Sequence, residues 1–251
     1  MIRGLYSSAA GMLVTQKLTE TIGENLDNVR NPGYREEQNV VTSFPALLLD
    51  RISSSGKSTE KVPIGGMGTG VMANRVTMKI GAGLVEETDQ PTDVALVSQG
   101  FFVVQTLAGE RYTRNGHFEL DETNRLRTTA GNMVLGEKGE IGPLSPNFTV
   151  EYDGTIKDNG QVVDRLRIVD IPGAALQREG KTTLYQSTQT PSAVARDSIQ
   201  MRQGAIEESN VNVDDQMVKM VVAMRAYEAN QKVLQIQDQT LEKAVNEVGR
   251  V

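Results

Sequence analysis

The C-terminal stretch of the chain, residues 213–251, reads VDDQMVKMVVAMRAYEANQKVLQIQDQTLEKAVNEVGRV and decides the predicted fold. Apolar or aromatic side chains occupy nine of eleven positions that follow at alternating spacings of four and three: Val213, Met217, Met220, Met224, Tyr227, Gln231, Leu234, Asp238, Leu241, Val245 and Val248. This heptad pattern predicts a helix whose narrow apolar row needs a partner helix. Residues 215–248 would span roughly 50 Å as a helix, too long for this domain to cover. The row therefore points toward a helix of this chain or of other copies.

A second helix is predicted near the N-terminus, over residues 5–29. Five apolar residues fall on one of its faces at spacings of four, four, four and three: Val14, Leu18, Ile22, Leu26 and Val29. Gly11 and Gly23 lie inside this helix, and each costs roughly 1 kcal/mol relative to alanine. Asn31-Pro32-Gly33 then ends the helix and turns the chain. The two terminal helices are natural partners, and we expect them to pair as a coiled coil.

The middle of the chain carries β signals. Residues 53–59 are predicted to be a flexible loop from their composition, and a strand is expected around residues 71–79. From residue 83 to about 200, short strand patterns such as Phe101–Val104 alternate with turn signals at Asn115-Gly116, Asp153-Gly154 and Asn159-Gly160.

The predicted class is α+β, with paired terminal helices and a central, mostly antiparallel β domain. Its four segments are an N-terminal helix of an inner coiled-coil domain (1–35), an irregular linker with extended segments (36–83), the β domain (84–203) and the C-terminal heptad helix (204–251).

Composition excludes several classes of partner and chemistry. The net charge of −6 over 251 residues argues against a nucleic-acid partner, because phosphate binding needs a basic surface. No run of 18 apolar residues occurs, so membrane insertion is not expected. The N-terminus lacks the apolar segment of a secretory signal, which predicts a cytoplasmic protein or one that leaves by another route. The absence of cysteine removes disulfides, thiol catalysis and thiolate metal sites.

No catalytic, cofactor-binding or metal-binding constellation emerges from the residues. His117 is the single histidine, so a Ser-His-Asp triad would have to use it, and we interpret it as a hairpin residue near the surface. The glycines of residues 65–70 do not fit a dinucleotide fingerprint, and Ala175 stands where a P-loop needs its first glycine. The sequence predicts no enzyme, no cofactor and no metal.

Three stretches in a fixed order carry a resemblance to a known family. The first includes Gly11, Met12, Asn25, Asn28, Pro32, Gly33 and Tyr34, within Ser8–Met12, Asn25–Val29 and Asn31–Arg35. The second includes Gly100, Phe101, Phe102, Tyr112, Thr113, Arg114, Gly116 and Phe118. The third includes Glu207, Ser209, Asn210, Val211, Arg225, Tyr227 and Glu228. In these motifs the chain resembles the bacterial flagellar rod, hook and hook-basal-body proteins over nearly its whole length.

Three positions depart from the pattern of that family. Glu24 stands where the family often has Asn, Asp27 where it often has Ala, and Asn31 where it usually has Thr. The subtype stays open, because residues 91–96 resemble the proximal rod form while the Phe101–Phe118 stretch and the C-terminal block also suit the distal rod form.

The resemblance implies a structural subunit of the flagellar basal-body rod. In such proteins the terminal helices pair in the inner shell of a hollow helical polymer of identical subunits, and the β domain forms the outer shell. It further implies export by the flagellar type III apparatus, contact with other rod and hook proteins, and a location in the basal body outside the cytoplasm. The rod acts as a drive shaft that transmits motor torque to the hook and filament.

Other readings of the residues remain open. One is a hook-type or rod–hook junction protein, although the larger inserted domains of hook proteins are not evident here. An enzyme with an acidic site in the β domain and a binding module that uses the heptad helix for an unrelated partner are the remaining alternatives.

Overall fold

The computed structural model describes residues 2–55, 58–79, 81–180 and 182–248. The chain divides into two compact units, the first formed within residues 1–23, 38–76 and 214–251 and the second within residues 24–37 and 77–213. The division into four segments that was made from the sequence remains a prediction.

Two long helices lie near the ends of the chain, as predicted. Helix α1 spans Ile2–Asp27, and helix α2 spans Val213–Lys243 before a wider π-helical turn at Ala244–Val248. Asp214 and Asp215 occupy the first turn of α2, where negative charge favours the helix dipole, and Lys243 lies in the last turn. The predicted ends of both helices are therefore close to the observed ones.

The first unit also contains two β ribbons. Strands β1 (Glu37–Ser43) and β4 (Val71–Met78) pair with each other, and β2 (Leu47–Ser55) pairs with β3 (Ser58–Met67) from Leu47↔Met67 to Ser55↔Ser58. The prediction of a flexible loop at residues 53–59 is wrong for the described residues, because residues 53–55 belong to β2 and residues 58 and 59 to β3. Residues 56 and 57 lie outside the described part. Backbone pairing across strands overrides a composition that suits loops.

The second unit is the β domain. Its strands are β5 (Val85–Glu87), β6 (Val94–Leu96), β7 (Phe101–Thr106), β8 (Gly109–Thr113), β9 (Phe118–Leu120), β10 (Leu126–Thr128), β11 (Met133–Val134), β12 (Thr149–Val150), β13 (Thr155–Asp158), β14 (Gln161–Arg165), β15 (Ile168–Asp170), β16 (Leu176–Arg178), β17 (Tyr185–Ser187), β18 (Ser192–Ala193), β19 (Met201–Gln203) and β20 (Ala205–Glu207). Short 3-10 turns occur at Gly173–Ala175 and Arg196–Ser198.

The central sheet has the strand order β16-β17-β8-β7-β11-β10-β9, and β15 adds to it by pairing with β7 and β18. The neighbouring pairs run antiparallel. The smaller sheets β12-β13-β14, β19-β6 and β20-β5 are also antiparallel. The α+β class with an antiparallel β domain is thereby confirmed.

Strand β7 has hydrophobic core on both of its faces. Phe102 and Val104 belong to one buried cluster and Phe101 and Val103 to another, as expected when successive side chains of a strand point to opposite faces. Phe102 packs edge-to-face on Phe118 with ring centroids 5.2 Å apart. Each of these buried side chains contributes roughly 1.5–3 kcal/mol relative to an exposed one.

Two of the three predicted hairpin turns are confirmed. Asn159-Gly160 joins β13 to β14, with both residues at positive φ, and Asp153-Gly154 lies between β12 and β13. The predicted hairpin at Asn115-Gly116 is wrong, because β8 pairs with β7 and β17 whereas β9 pairs with β10. Gly116 instead passes so close to Val94 that an added Cβ would lie 1.8 Å from the Val94 carbonyl oxygen.

Candidate functional site

Helices α1 and α2 approach each other at two glycines of α1. A Cβ built on Gly4 would lie 2.1 Å from Nε2 of Gln237, and one built on Gly11 would lie 2.9 Å from Nδ2 of Asn230. The two helices run antiparallel, since the contact moves seven residues forward on α1 and seven residues back on α2. The glycines are therefore the points of close approach, although from the sequence alone they only weaken the helix.

The side of α2 that meets α1 lies one residue earlier than five of the eleven positions of the predicted apolar row. Residues at spacings of seven share this side, and all are buried or half-buried: Gln216, Ala223, Asn230 and Gln237. The predicted positions one residue later are exposed in the single chain: Met217, Met224, Gln231, Asp238 and Val245. The close approaches within the chain are made by Gly4 and Gly11 against amide side chains of α2, which hydrophobicity does not mark in the sequence.

The other predicted positions of α2 flank the observed side. Met220, Leu234 and Leu241 are half-buried, Tyr227 and Val213 are each 37% exposed, and the Val248 side chain lies outside the described part. Among the predicted positions of α1, two are buried and three are half-buried: Val14, Ile22, Leu18, Leu26 and Val29. Coverage of the exposed positions by other copies of the chain stays a prediction.

The opposite flank of α1 packs on the β1–β4 ribbon. The Asn39 amide of β1 donates to the hydroxyl of Thr21 at 2.7 Å and to the backbone carbonyl of Lys17 at 3.3 Å. A Cβ built on Gly70, just before β4, would lie 3.5 Å from Cβ of Ala10. Helix α1 thus uses two of its faces within the first unit and leaves a third in solvent.

In the second unit, the three motif stretches meet at the carboxylate of Glu207. Its side chain is 1% exposed and accepts from Nη2 of Arg35 at 2.7 Å, Nε of Arg114 at 2.9 Å and the backbone N–H of Gly83 at 2.8 Å. The Arg114 guanidinium also donates to the carbonyls of Leu96, Ser98 and Gly100. Burial lowers the pKa of Arg114, and the charge of Glu207 opposes that shift.

Backbone contacts reinforce this meeting point. The N–H of Gly33 donates to the carbonyl of Glu207 at 2.7 Å, and Gly33 has φ +69°. A Cβ there would lie 2.3 Å from the carbonyl carbon of Arg114, so only glycine fits. The Asn210 side chain accepts from the N–H of Glu36 at 2.7 Å and donates to the carbonyls of Lys79 and Gly81.

A second network holds the last turn of α1 to the β domain. The Tyr34 hydroxyl donates to Oδ1 of Asn25 at 3.0 Å, and the Asn25 amide donates to the carbonyl of Glu37. Arg178 on β16 forms ion pairs with Glu37, at 2.8 Å, and with Glu24, and its guanidinium lies over the ring of Tyr34. Although burial opposes it, hydrogen bonding to Glu37 raises the pKa of Arg178. The departure Glu24 is therefore the partner of a buried cation.

The remaining motif residues differ in burial. Burial raises the pKa of Tyr185, which neighbours Tyr112 across the β8–β17 pair, to about 12. Others in the motifs are buried or half-buried, namely Met12, Asn28, Pro32, Thr113, Ser209, Val211 and Phe118, while Arg225 and Glu228 are exposed on α2. Sequence reasoning missed Arg178, and it included Arg35 only as the last residue of a motif stretch, because nothing in the pattern marks a charged residue as buried.

His117 is more than a surface hairpin residue. Its Nδ1 lies 2.6 Å from Oδ1 of the buried Asp93, whose other oxygen accepts from the Thr88 hydroxyl at 2.6 Å. In the described part of the chain, the His117 ring bonds to Asp93 through Nδ1, and no hydroxyl group is hydrogen-bonded to its Nε2, where a triad needs its nucleophile.

Two negative findings apply to the described residues alone. They contain no group of three or more His, Cys, Asp or Glu side chains placed to hold a metal ion. None of the helices described here has the length and apolar character needed to span a membrane.

Comparison with known proteins places these contacts in context. Residues 95–164 match the family described as flagellar hook protein FlgE/F/G D1 domain, and residues 202–247 match flagellar basal body rod FlgEFG protein C-terminal. The chain is 33% identical to the flagellar hook-basal body complex protein FlhO of Bacillus subtilis over 100% of both chains.

Two rod proteins are similar over nearly their full lengths. The flagellar basal-body rod protein FlgG of Buchnera aphidicola subsp. Schizaphis graminum is 31% identical over 97% of this chain and 98% of its own. The flagellar basal-body rod protein FlgF of Escherichia coli is 29% identical over 97% of each chain. With its motif residues gathered at Glu207 and at the end of α1, and with these matches along its whole length, the chain belongs to the family of flagellar rod and hook-basal body proteins.

Proposed function

We propose that this chain is a structural subunit of the flagellar basal-body rod, with no catalytic activity, located in the basal body. It assembles with other rod and hook proteins and with further copies of itself into a hollow helical polymer. Subunits joined by a head-to-tail interface whose rotation does not close form such an open polymer. The polymer carries motor torque to the hook and filament, and its subunits arrive through the flagellar type III export apparatus.

The observation that carries the self-assembly proposal is the exposure of apolar side chains on a helix that already has a partner. Met217 is 57% exposed, Met224 49% and Val245 70%, while the contact between α2 and α1 is made by Gly4, Gly11 and amide side chains. Burying these residues against neighbouring subunits would contribute roughly 25 cal/mol per Å² of apolar area. We propose that the predicted apolar row of α2, together with the coiled-coil arrangement of the helices, is completed by those neighbours.

Electron microscopy of basal bodies from a strain that lacks this gene tests the proposal. We expect rods that are absent or truncated, with no hook or filament, and restoration by the full-length gene. The point of truncation separates a proximal from a distal position, and a complete rod without a hook indicates a junction role. Intact rods and hooks in the deletion strain would contradict the proposal.

Terminal deletions provide the matched comparison. Removal of residues 1–23 or 214–251, both of which lie in the first unit, from a reintroduced copy is expected to abolish assembly. A protein that acted through its β domain alone would still complement the deletion strain, so complementation by either shortened chain would count against a role built on the terminal helices.

A further inference from the structure

Helix α2 has a second face, directed away from α1, that is exposed and combines apolar with basic side chains. At spacings of four, three, four, three and four, this second face consists of Val218, Val222, Arg225, Ala229, Lys232 and Ile236. Val218 is 63% exposed, Val222 61% and Ile236 61%. It carries no acidic residue and differs from the predicted row, which lies on a neighbouring side of the helix.

Helix α1 carries an exposed row of complementary character. Tyr6, Leu13 and Glu20 follow one another at spacings of seven and therefore lie on one face. Tyr6 is 67% and Leu13 68% exposed, and the Glu20 side chain is 48% exposed. This outer row faces neither α2, which meets Gly4 and Gly11, nor the β1–β4 ribbon, which meets the side of Ala10 and Thr21.

We propose that the outer row of α1 in one copy docks on the second face of α2 in a neighbouring copy. The proposal rests on the proposed self-assembly and specifies which surfaces meet. A screw operation keeps every subunit pointing the same way along the polymer axis. Helices that run antiparallel within a copy therefore also run antiparallel between copies when they lie along that axis.

The antiparallel register places apolar side chains opposite apolar side chains and an acidic side chain near a basic one. Seven residues separate Tyr6 from Leu13, and seven residues separate Ile236 from Ala229, so both apolar pairs match at once. Glu20, seven residues further along α1, then reaches the level of Val222, one turn from Arg225 on the same face. Glu20 pairs with Lys17 of its own helix at 3.1 Å and, as an exposed carboxylate, can also meet the basic second face, where a basic side chain would be repelled.

Cysteine cross-linking in assembled basal bodies tests the contact directly, because the chain has no cysteine of its own. The double variant Tyr6→Cys with Ile236→Cys should give disulfide-linked dimers and longer multimers on oxidation of basal bodies, since every copy carries both cysteines, and none in the unassembled subunit. The control pairs Tyr6→Cys with Gln235→Cys, which is also exposed but lies about 100° around the helix. Equal dimer from both pairs, or none from the first pair in assembled basal bodies, would overturn the proposal.

Charge exchange provides a test that does not depend on the cysteine variants. Glu20→Arg and Arg225→Glu should each lower the number of assembled basal bodies by about tenfold, equivalent to about 1.4 kcal/mol, and the two together should restore it. Circular dichroism of the purified subunit should change little, since both residues are exposed and the Lys17–Glu20 pair that Glu20→Arg removes stabilises a helix by only about 0.2–0.5 kcal/mol. Normal assembly of the single variants, or no recovery in the double variant, would refute the docking. If the proposed rod function itself were wrong, the deletion strain would still build complete basal bodies.

Discussion

Neutralising Glu207 should destabilise the β domain more than any change of a surface charge. The Glu207→Gln substitution keeps the shape of the side chain and removes the negative charge shared by two guanidinium groups. Arg35 and Arg114 are 5% and 3% exposed, so neither cation can recover its lost partner from water. Removing one partner of a buried ion pair costs roughly 3–5 kcal/mol. At 2–4 °C per kcal/mol for a chain of this size, the midpoint of thermal unfolding should fall by about 6–20 °C.

The assay is urea and thermal unfolding of the full chain, followed by near-ultraviolet circular dichroism of its tyrosines. Glu110→Gln is the matched control, since Glu110 pairs with Arg167 at 2.8 Å while both side chains are about two-fifths exposed. Exposed pairs contribute roughly 0–1 kcal/mol, so this control should scarcely change stability. A Glu207→Gln protein no less stable than the control would refute the reasoning that the motif stretches are held together by this buried charge.

Three further predictions follow from the same contacts. Gly33→Ala should lower the free energy of unfolding by well over the roughly 1–2 kcal/mol that a left-handed alanine costs, because its Cβ would meet the Arg114 backbone. Gly160→Ala, with φ +79° and open space around it, should cost only that amount. Equal losses in urea unfolding would contradict this. The pKa of an unfolded tyrosine is near 10, whereas burial raises the pKa of Tyr185 to about 12. The free energy of unfolding should therefore fall as the pH rises from about 10 to about 12, by roughly 1.4 kcal/mol per pH unit. Tyr185→Phe should make the urea midpoint depend less steeply on pH. Met224→Asp should leave the stability of the subunit almost unchanged and prevent rod assembly, as seen by electron microscopy; normal rods would exclude Met224 from the subunit interface.

The local elements followed from the sequence because they depend on neighbours along the chain. Apolar residues at helical spacing placed both terminal helices, and Asn159-Gly160 marked a true two-residue hairpin, since both residues tolerate positive φ. The order of the three motif stretches identified the family before any contact was known. At Asn115-Gly116 the same local signal was wrong, because the glycine serves a close approach to Val94 from elsewhere in the chain.

The partners of charged and small residues were decided by tertiary structure. Glu207 and Arg35 lie in motif stretches and Arg178 does not, but for all three only packing shows that they are buried and paired. Spacing could not choose between two adjacent sides of α2, because a shift of one residue keeps the same period. Hydrophobicity selected a row that we propose is covered by other subunits, whereas close approach at Gly4 and Gly11 selected the side of α2 that meets α1. The sequence by itself thus determined the helices, the class and the family, and long-range packing, which brings distant residues within a few ångströms, decided which faces meet.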